Sequence, residues 1–135
     1  MNDIDQMTLY IDEKKIKDID DCDAVIDVRS PREFNEDHII GSVNLPVLKN
    51  NEHETVGTIY KNTSPFEAKK IGARLVSLNI ASHLQTFFRD KKKSFKPLFY
   101  CARGGQRSNS FATICASIGW KCAVLGGGYK TYRKS

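Results

Sequence analysis

The chain lacks any apolar run approaching the ~20 residues that cross a bilayer, so a membrane span is not expected. Its opening, Met1 to Asp5, has no apolar core of the kind a secretory signal needs, and the reducing cytoplasm is the expected compartment. There is no Cys-x-x-Cys pair among Cys22, Cys101, Cys115 and Cys122, and no histidine stands at zinc-finger spacing from them. A disulfide framework and a structural zinc site are therefore not expected, and no metal or bound cofactor is implied. What remains is four thiols, each either core or reactive. No internal repeat or low-complexity segment is visible.

What is present suits a single globular domain over residues 1–135. Hydrophobic residues make up 40% and charged residues 27% of the chain, enough for one core. The net charge is +5, concentrated in Lys14-Lys15-x-Lys17, Lys91-Lys92-Lys93 and the tail from Lys130 to Lys134. Such runs are ordinarily solvated surface, and the alternative is contact with an anionic partner such as RNA.

Thr8 to Ile11 reads as a short edge strand. Ala24 to Val28 is a compact apolar run suited to a buried parallel strand. It runs into Ser30-Pro31-Arg32-Glu33, where Ser30 suits the N-cap, Pro31 the first helical position and Glu33 the reciprocal position of a capping box. A short helix to about Asp37 follows, then a strand over Ser42–Leu45 stopped by Pro46. Ser64-Pro65-Phe66-Glu67 repeats the device and opens a long helix over about 65–89. Its apolar positions Ile71, Leu75, Leu78 and Val76, Ile80, Leu84, Phe87 recur at three- and four-residue spacing. Pro97 to Cys101 is a further strand. The next helix carries Phe111, Ile114, Cys115 and Ile118 on one face and ends at Gly119. Cys122 to Leu125 forms the last strand, before three glycines and a basic tail helix. Strands alternating with helices imply a parallel sheet covered on both faces, with ligands beyond the carboxyl ends of its strands.

The segment that carries chemistry is Cys101-Ala102-Arg103-Gly104-Gly105-Gln106-Arg107-Ser108. A cysteine at a strand's carboxyl end, followed by a glycine loop and a helix, makes a nucleophile cradle. Gly104 and Gly105 let the backbone curl so that its N–H groups converge on an anion. The following helix adds the positive end of its dipole, and Arg103 and Arg107 add full charges. These groups favour a thiolate, the reactive form. The same cradle suits an anionic chalcogen donor such as thiosulfate or selenophosphate. Cys115 and Cys122 read as core. Cys22, amid Asp20, Asp21 and Asp23, is a poor nucleophile. Asp27 and Arg29 lie near the active edge and read as an ion pair that fixes the loop, with direct contact with substrate as the alternative. His38 reads as structural, and His53 and His83 give no signal.

Ile26 to Phe34 and Asp37 to Pro46 together resemble the entry half of rhodanese domains, and the Cys101 loop resembles their active-site loop. More narrowly, four stretches resemble the N-terminal rhodanese domain of tRNA 2-selenouridine synthases. They are Leu45 to Leu48, Val56 to Lys61 with Ser64 to Ala68, Cys101 to Ser108, and Leu125-x-Gly127-Gly128-Tyr129-Lys130. The resemblance implies a five-stranded parallel sheet with helices on both faces. It implies that Cys101 takes selenium from selenophosphate for conversion of 2-thiouridine to 2-selenouridine at the tRNA wobble position, so tRNA becomes an expected partner. The family is understood to work through a geranylated thiouridine. Two departures stand out. The family continues into a domain with a phosphate-binding loop, and no Gly-x-x-x-x-Gly-Lys-Ser/Thr occurs here. Gly126 also stands where an acidic residue is expected.

Two other functions fit parts of the pattern. Cys101-x5-Arg107 has the spacing of cysteine-based phosphatases of the rhodanese fold, although Tyr100 replaces their usual histidine and no loop carboxylate offers a leaving-group acid. A non-catalytic binding module would use the basic surface alone.

Overall fold

The computed structural model describes residues 11–103 and 105–134. Five strands form one parallel sheet in the order β1-β5-β4-β2-β3. They are β1 (Ile11–Lys14), β2 (Ala24–Asp27), β3 (Val43–Asn44), β4 (Pro97–Tyr100) and β5 (Cys122–Leu125). The helices are α1 (Pro31–Glu36), α2 (Asn50–Asn62), α3 (Pro65–Gln85), α4 (Gln106–Ile118) and α5 (Gly128–Lys134), with a 3-10 turn at Ile16–Asp21. Of the edge strand expected from residue 8, Ile11 begins β1 and Thr8 to Tyr10 lie outside the described residues.

Central β4 is buried along its whole length, as a strand covered on both faces must be. Its side chains alternate. Phe99 and Cys101 join a cluster with Ile26, Val28, Phe88, Phe111, Cys115 and Trp120. Leu98 and Tyr100 join Ile39, Leu125 and Tyr129 on the other face. Burying a side chain such as Phe99 or Ile26 contributes about 1.5–3 kcal/mol. β4 pairs with β2 in register Ile26 with Phe99 and Asp27 with Tyr100, which brings the carboxyl ends of both strands to one edge. Cys115 and Cys122 are buried, as expected of core cysteines, while Cys22 is half-buried.

Ser30 caps α1 as a full capping box: its hydroxyl accepts from Glu33 N, and Glu33 returns to Ser30 N at 3.0 Å. At α3 only half the device forms. Ser64 Oγ accepts from Glu67 N at 3.0 Å, while Glu67 pairs with Lys70 at 3.5 Å.

Several expectations are corrected. α2 was not expected: Asn50–Asn62 is polar on average with a glycine at its centre, and its apolar side chains Val56, Ile59 and Tyr60 share a face but are few; it forms as the antiparallel partner of α3, with Asn79 Nδ2 donating to Glu52 at 2.9 Å. α3 stops at Gln85 rather than near 89. The turn that follows lets Phe88 pack on Phe111 and Trp120. Leu78 and Ile118, expected on apolar faces, are 60% and 56% exposed, since none of the described elements covers them.

Candidate active site

β4 ends at Tyr100 and delivers Cys101 to the sheet's carboxyl edge, 4% exposed. Its Sγ lies 3.5 Å from Ser108 Oγ and 3.5 Å from the carbonyl of Arg103. Gly105 is the N-cap of α4 at φ +98°, a backbone that disfavours any side chain. Its carbonyl accepts from Asn109 N at 2.7 Å and from the buried Ser108 hydroxyl at 3.1 Å. The loop thus turns directly into the helix, with the sulfur at the helix's positive end. Gly104 lies outside the described residues. Ala102 is half-buried, and Arg103 and Gln106 are exposed.

The loop rests on α5. Tyr129 N donates to the Cys101 carbonyl at 2.8 Å and Lys130 N to the Ala102 carbonyl at 3.0 Å. Gly128, at φ +62°, makes this approach possible, because a Cβ there would stand 2.4 Å from the Arg103 carbonyl oxygen and 2.5 Å from that of Cys101. The neighbouring Gly126 departure has a spatial counterpart. A Cβ on Gly126 would lie 2.7 Å from the Glu13 carboxylate, so β1 brings an acidic group to this place.

Arg107 turns toward α1. Its Nη1 and Nη2 donate to the two Glu33 carboxylate oxygens at 3.1 and 3.4 Å. Burial alone would raise the Glu33 pKa, but the hydrogen bond and charge of Arg107, with the backbone and hydroxyl of Ser30, bring it down to about 2. Glu33 is thus an ionised partner that sequence reasoning recognised only as a helix cap. Its seventy-odd-residue separation from Arg107 left no signal of the pairing.

Asp27 and Arg29 form a buried ion pair, with Arg29 Nη2 at 2.8 Å from Asp27 Oδ2. Arg29 also donates to the Asp37 carbonyl at 2.7 Å, and its guanidinium lies 4.3 Å over the Tyr129 ring. Tyr100 OH donates to the same Asp27 oxygen at 2.6 Å. Burial, then this hydrogen bond, pushes the Tyr100 pKa well up. Because Asp27 bonds to Tyr100, which faces away from Cys101, the pair braces the strand ends rather than lining the sulfur's side of the sheet. His38 is structural, its Nδ1 2.8 Å from the Phe34 carbonyl. So is His83, whose Nε2 lies 2.7 Å from the Pro46 carbonyl and whose ring stacks on Phe111.

Among the described residues no group of three His, Cys, Asp or Glu side chains is arranged to hold a metal, and no helix is long and apolar enough to cross a membrane.

A five-stranded parallel sheet with helices, and a cysteine at the end of its central strand followed by a loop that opens a helix, is a rhodanese-like architecture. The chain belongs to the rhodanese-like domain family, whose model matches residues 12–135. It is 38% identical over 112 residues to the tRNA 2-selenouridine synthase of Proteus mirabilis, covering 82% of this chain and 31% of that protein. It is 37% identical over 110 residues to the synthase of Bdellovibrio bacteriovorus, covering 81% of this chain and 29% of that protein. The chain therefore spans about three-tenths of the length of these relatives. Among solved structures, it is similar to the N-terminal domain of a putative ATP/GTP binding protein from Clostridium difficile. That match has 40% identity and a TM-score of 0.76 over 90% of this chain and 96% of the other.

Proposed function

We propose that this domain is a chalcogen carrier that holds sulfur or selenium as a persulfide or perselenide on Cys101. The observation that carries the reading is the Cys101 sulfur, set at the carboxyl end of β4 with the Ser108 hydroxyl 3.5 Å away and the N-terminus of α4 behind it. With thiosulfate, the thiolate attacks the outer sulfur. The S–S bond of the donor breaks, sulfite leaves with the bonding pair, and Cys101 keeps one added sulfur. Selenophosphate loads by the same balance only if the Se–P pair leaves on phosphorus, as phosphite. The loop from Ala102 to Ser108, with Arg103 exposed at its rim, binds the anionic donor. Asp27 and Arg29 support the strand ends beneath it.

The similarity to selenouridine synthases supports tRNA carrying 2-thiouridine as the acceptor, in the cytoplasm, as one domain spanning 1–135. In that setting the outer selenium of the perselenide adds to C2 of the base and sulfide leaves. An external thiol then attacks the Cys101 sulfur, and 2-selenouridine departs as the selenolate. A second thiol restores Cys101. The phosphatase reading is disfavoured because Glu33, the carboxylate paired with Arg107, is held ionised with its pKa brought down to about 2 and so cannot protonate a leaving group.

The test is intact-protein mass after incubation with thiosulfate and, separately, selenophosphate. A gain of one sulfur or selenium atom, reversed by thiol and missing in Cys101→Ser, supports the carrier. No adduct with either donor, together with hydrolysis of an aryl phosphate, would transfer the assignment to the phosphatase.

A further inference from the structure

The helical hairpin α2–α3 does more than complete the fold. Between it and the start of α4 lies an open groove of about 400 Å³. Val56 and Val76 supply apolar surface, Tyr60 and Lys69 come from the hairpin, and Gln106 and Arg107 come from α4. The last two belong to the Cys101–Ser108 loop segment, so the groove borders the loop that wraps the sulfur. Its volume is in the range of small-molecule sites.

The character of the lining is specific. No carboxylate lines the groove. Lys69 makes no ion pair among the described residues. Tyr60 is a large aromatic left 56% exposed at the groove rather than tucked into the core. An exposed aromatic ring, apolar walls, a side-chain amide and unneutralised positive charge are the combination that takes an unstacked nucleobase with its phosphate. A purely aliphatic ligand would pack on the ring and walls but leave the Gln106 amide and the Lys69 charge unused.

We propose that this groove docks the acceptor nucleotide of an RNA substrate. The base stacks on Tyr60 against the valine walls, its edge meets Gln106, and its phosphate meets Lys69, which brings the nucleotide alongside the Cys101 loop. The proposal rests on the chalcogen-carrier reading with an RNA acceptor.

The experiment measures fluorescence anisotropy of a labelled seven-nucleotide RNA, with 2-thiouridine at its centre, against the 135-residue chain. The variants are Tyr60→Ala, Tyr60→Phe, Ala73→Leu and Lys93→Glu. Ala73 is an exposed residue of the groove, so leucine there fills the space without entering the core. Lys93 lies before β4, at the opposite end of the sheet from Cys101. Thiosulfate loading of every variant is followed by mass in parallel.

We expect Tyr60→Ala and Ala73→Leu to weaken RNA binding by about tenfold, the scale of one lost base–aromatic stack. Tyr60→Phe and Lys93→Glu should bind within about twofold of wild type, since a phenyl ring still stacks and one distant charge adds little. All variants should load alike. Equal binding by wild type, Tyr60→Ala and Ala73→Leu, with loading intact, overturns the groove and leaves the carrier standing. So does absence of RNA binding by a wild type that loads. A wild type that fails to load removes the carrier reading itself. Decyl phosphate binding that Ala73→Leu abolishes, while RNA binding persists, would assign the groove to an apolar-tailed phosphate instead.

Discussion

Tyr100 and Asp27 stand opposite one another on β4 and β2, and the Tyr100 hydroxyl donates to Asp27 Oδ2 at 2.6 Å. The same hydroxyl accepts from Ile39 N at 3.1 Å and meets Ser42 Oγ at 3.1 Å, so one atom ties the two strands to the loop after α1. Tyr100→Phe removes all three contacts while keeping the ring. We expect a loss of about 1–3 kcal/mol in urea unfolding, the scale of leaving buried groups unsatisfied. Arg29→Met should cost more, about 3–5 kcal/mol, because it strands a buried carboxylate. A Tyr100→Phe protein as stable as wild type would show that the hydroxyl is incidental.

The Glu33–Arg107 pair gives stability a pH signature. The folded Glu33 pKa, about 2, lies below its ordinary value of 4.5. Its contribution is therefore complete above about pH 4.5 and is lost as pH falls through 2. Each unit is worth about 1.4 kcal/mol, and a discount for partial solvent contact leaves roughly 2 kcal/mol. Glu33→Gln should be less stable than wild type by that amount at pH 6, with the gap closing toward pH 2. A gap that does not narrow on acidification would mean that the carboxylate's charge is not what stabilises the fold.

Loading should depend on one thiol and on its neighbour's hydroxyl. Cys101→Ser should fold normally and take up no chalcogen, whereas Cys115→Ser and Cys122→Ser, if folded, should load like wild type. For Cys115 the reason is electrostatic as well as steric: its hydrogen bond with Cys122, then burial, raises its pKa far above the ordinary range. In the resting thiol the Ser108 proton goes to the Gly105 carbonyl, and only by turning to the sulfur can it stabilise the thiolate that loads. Ser108→Ala removes that donor and should load about tenfold more slowly, the scale of one hydrogen bond to a charged sulfur. Unchanged stopped-flow loading in Ser108→Ala would dismiss the hydroxyl.

Gly128 governs the loop from outside it. Gly128→Ala would drive a Cβ against the carbonyls of Cys101 and Arg103 and strain a backbone at φ +62°. We expect slower loading together with a lower melting temperature, while Gly57→Ala, which meets nothing within 4 Å, should leave loading unchanged. Normal loading kinetics in Gly128→Ala would mean that α5 does not set the loop.

The strands, the α1 capping box and the unit of strand, cysteine, glycine turn and helix were legible because each rests on neighbours within a few positions. β4 reads as buried from its own composition, and Gly105 reads as a turn because its φ favours glycine. α2 is hard to read from the sequence, since its apolar positions Val56, Ile59 and Tyr60 share a face but are few among polar neighbours, and the face of α3 holds it. The exposed Leu78 and Ile118 were misread for the converse reason: periodicity marks a face, and only the tertiary arrangement says whether anything covers it.

The sequence by itself determined the parallel α/β class and which cysteine stands at a strand end, because local pattern and chain order dictate both. Only the tertiary structure decided that Arg107 pairs with Glu33, that Asp27 and Arg29 brace the sheet from the face opposite Cys101, and that α5 carries the loop. Each of those depends on side chains or amides from distant segments converging at one edge. No local spacing encodes that convergence; it arises when the sheet closes its register and the helices bury their apolar faces against it.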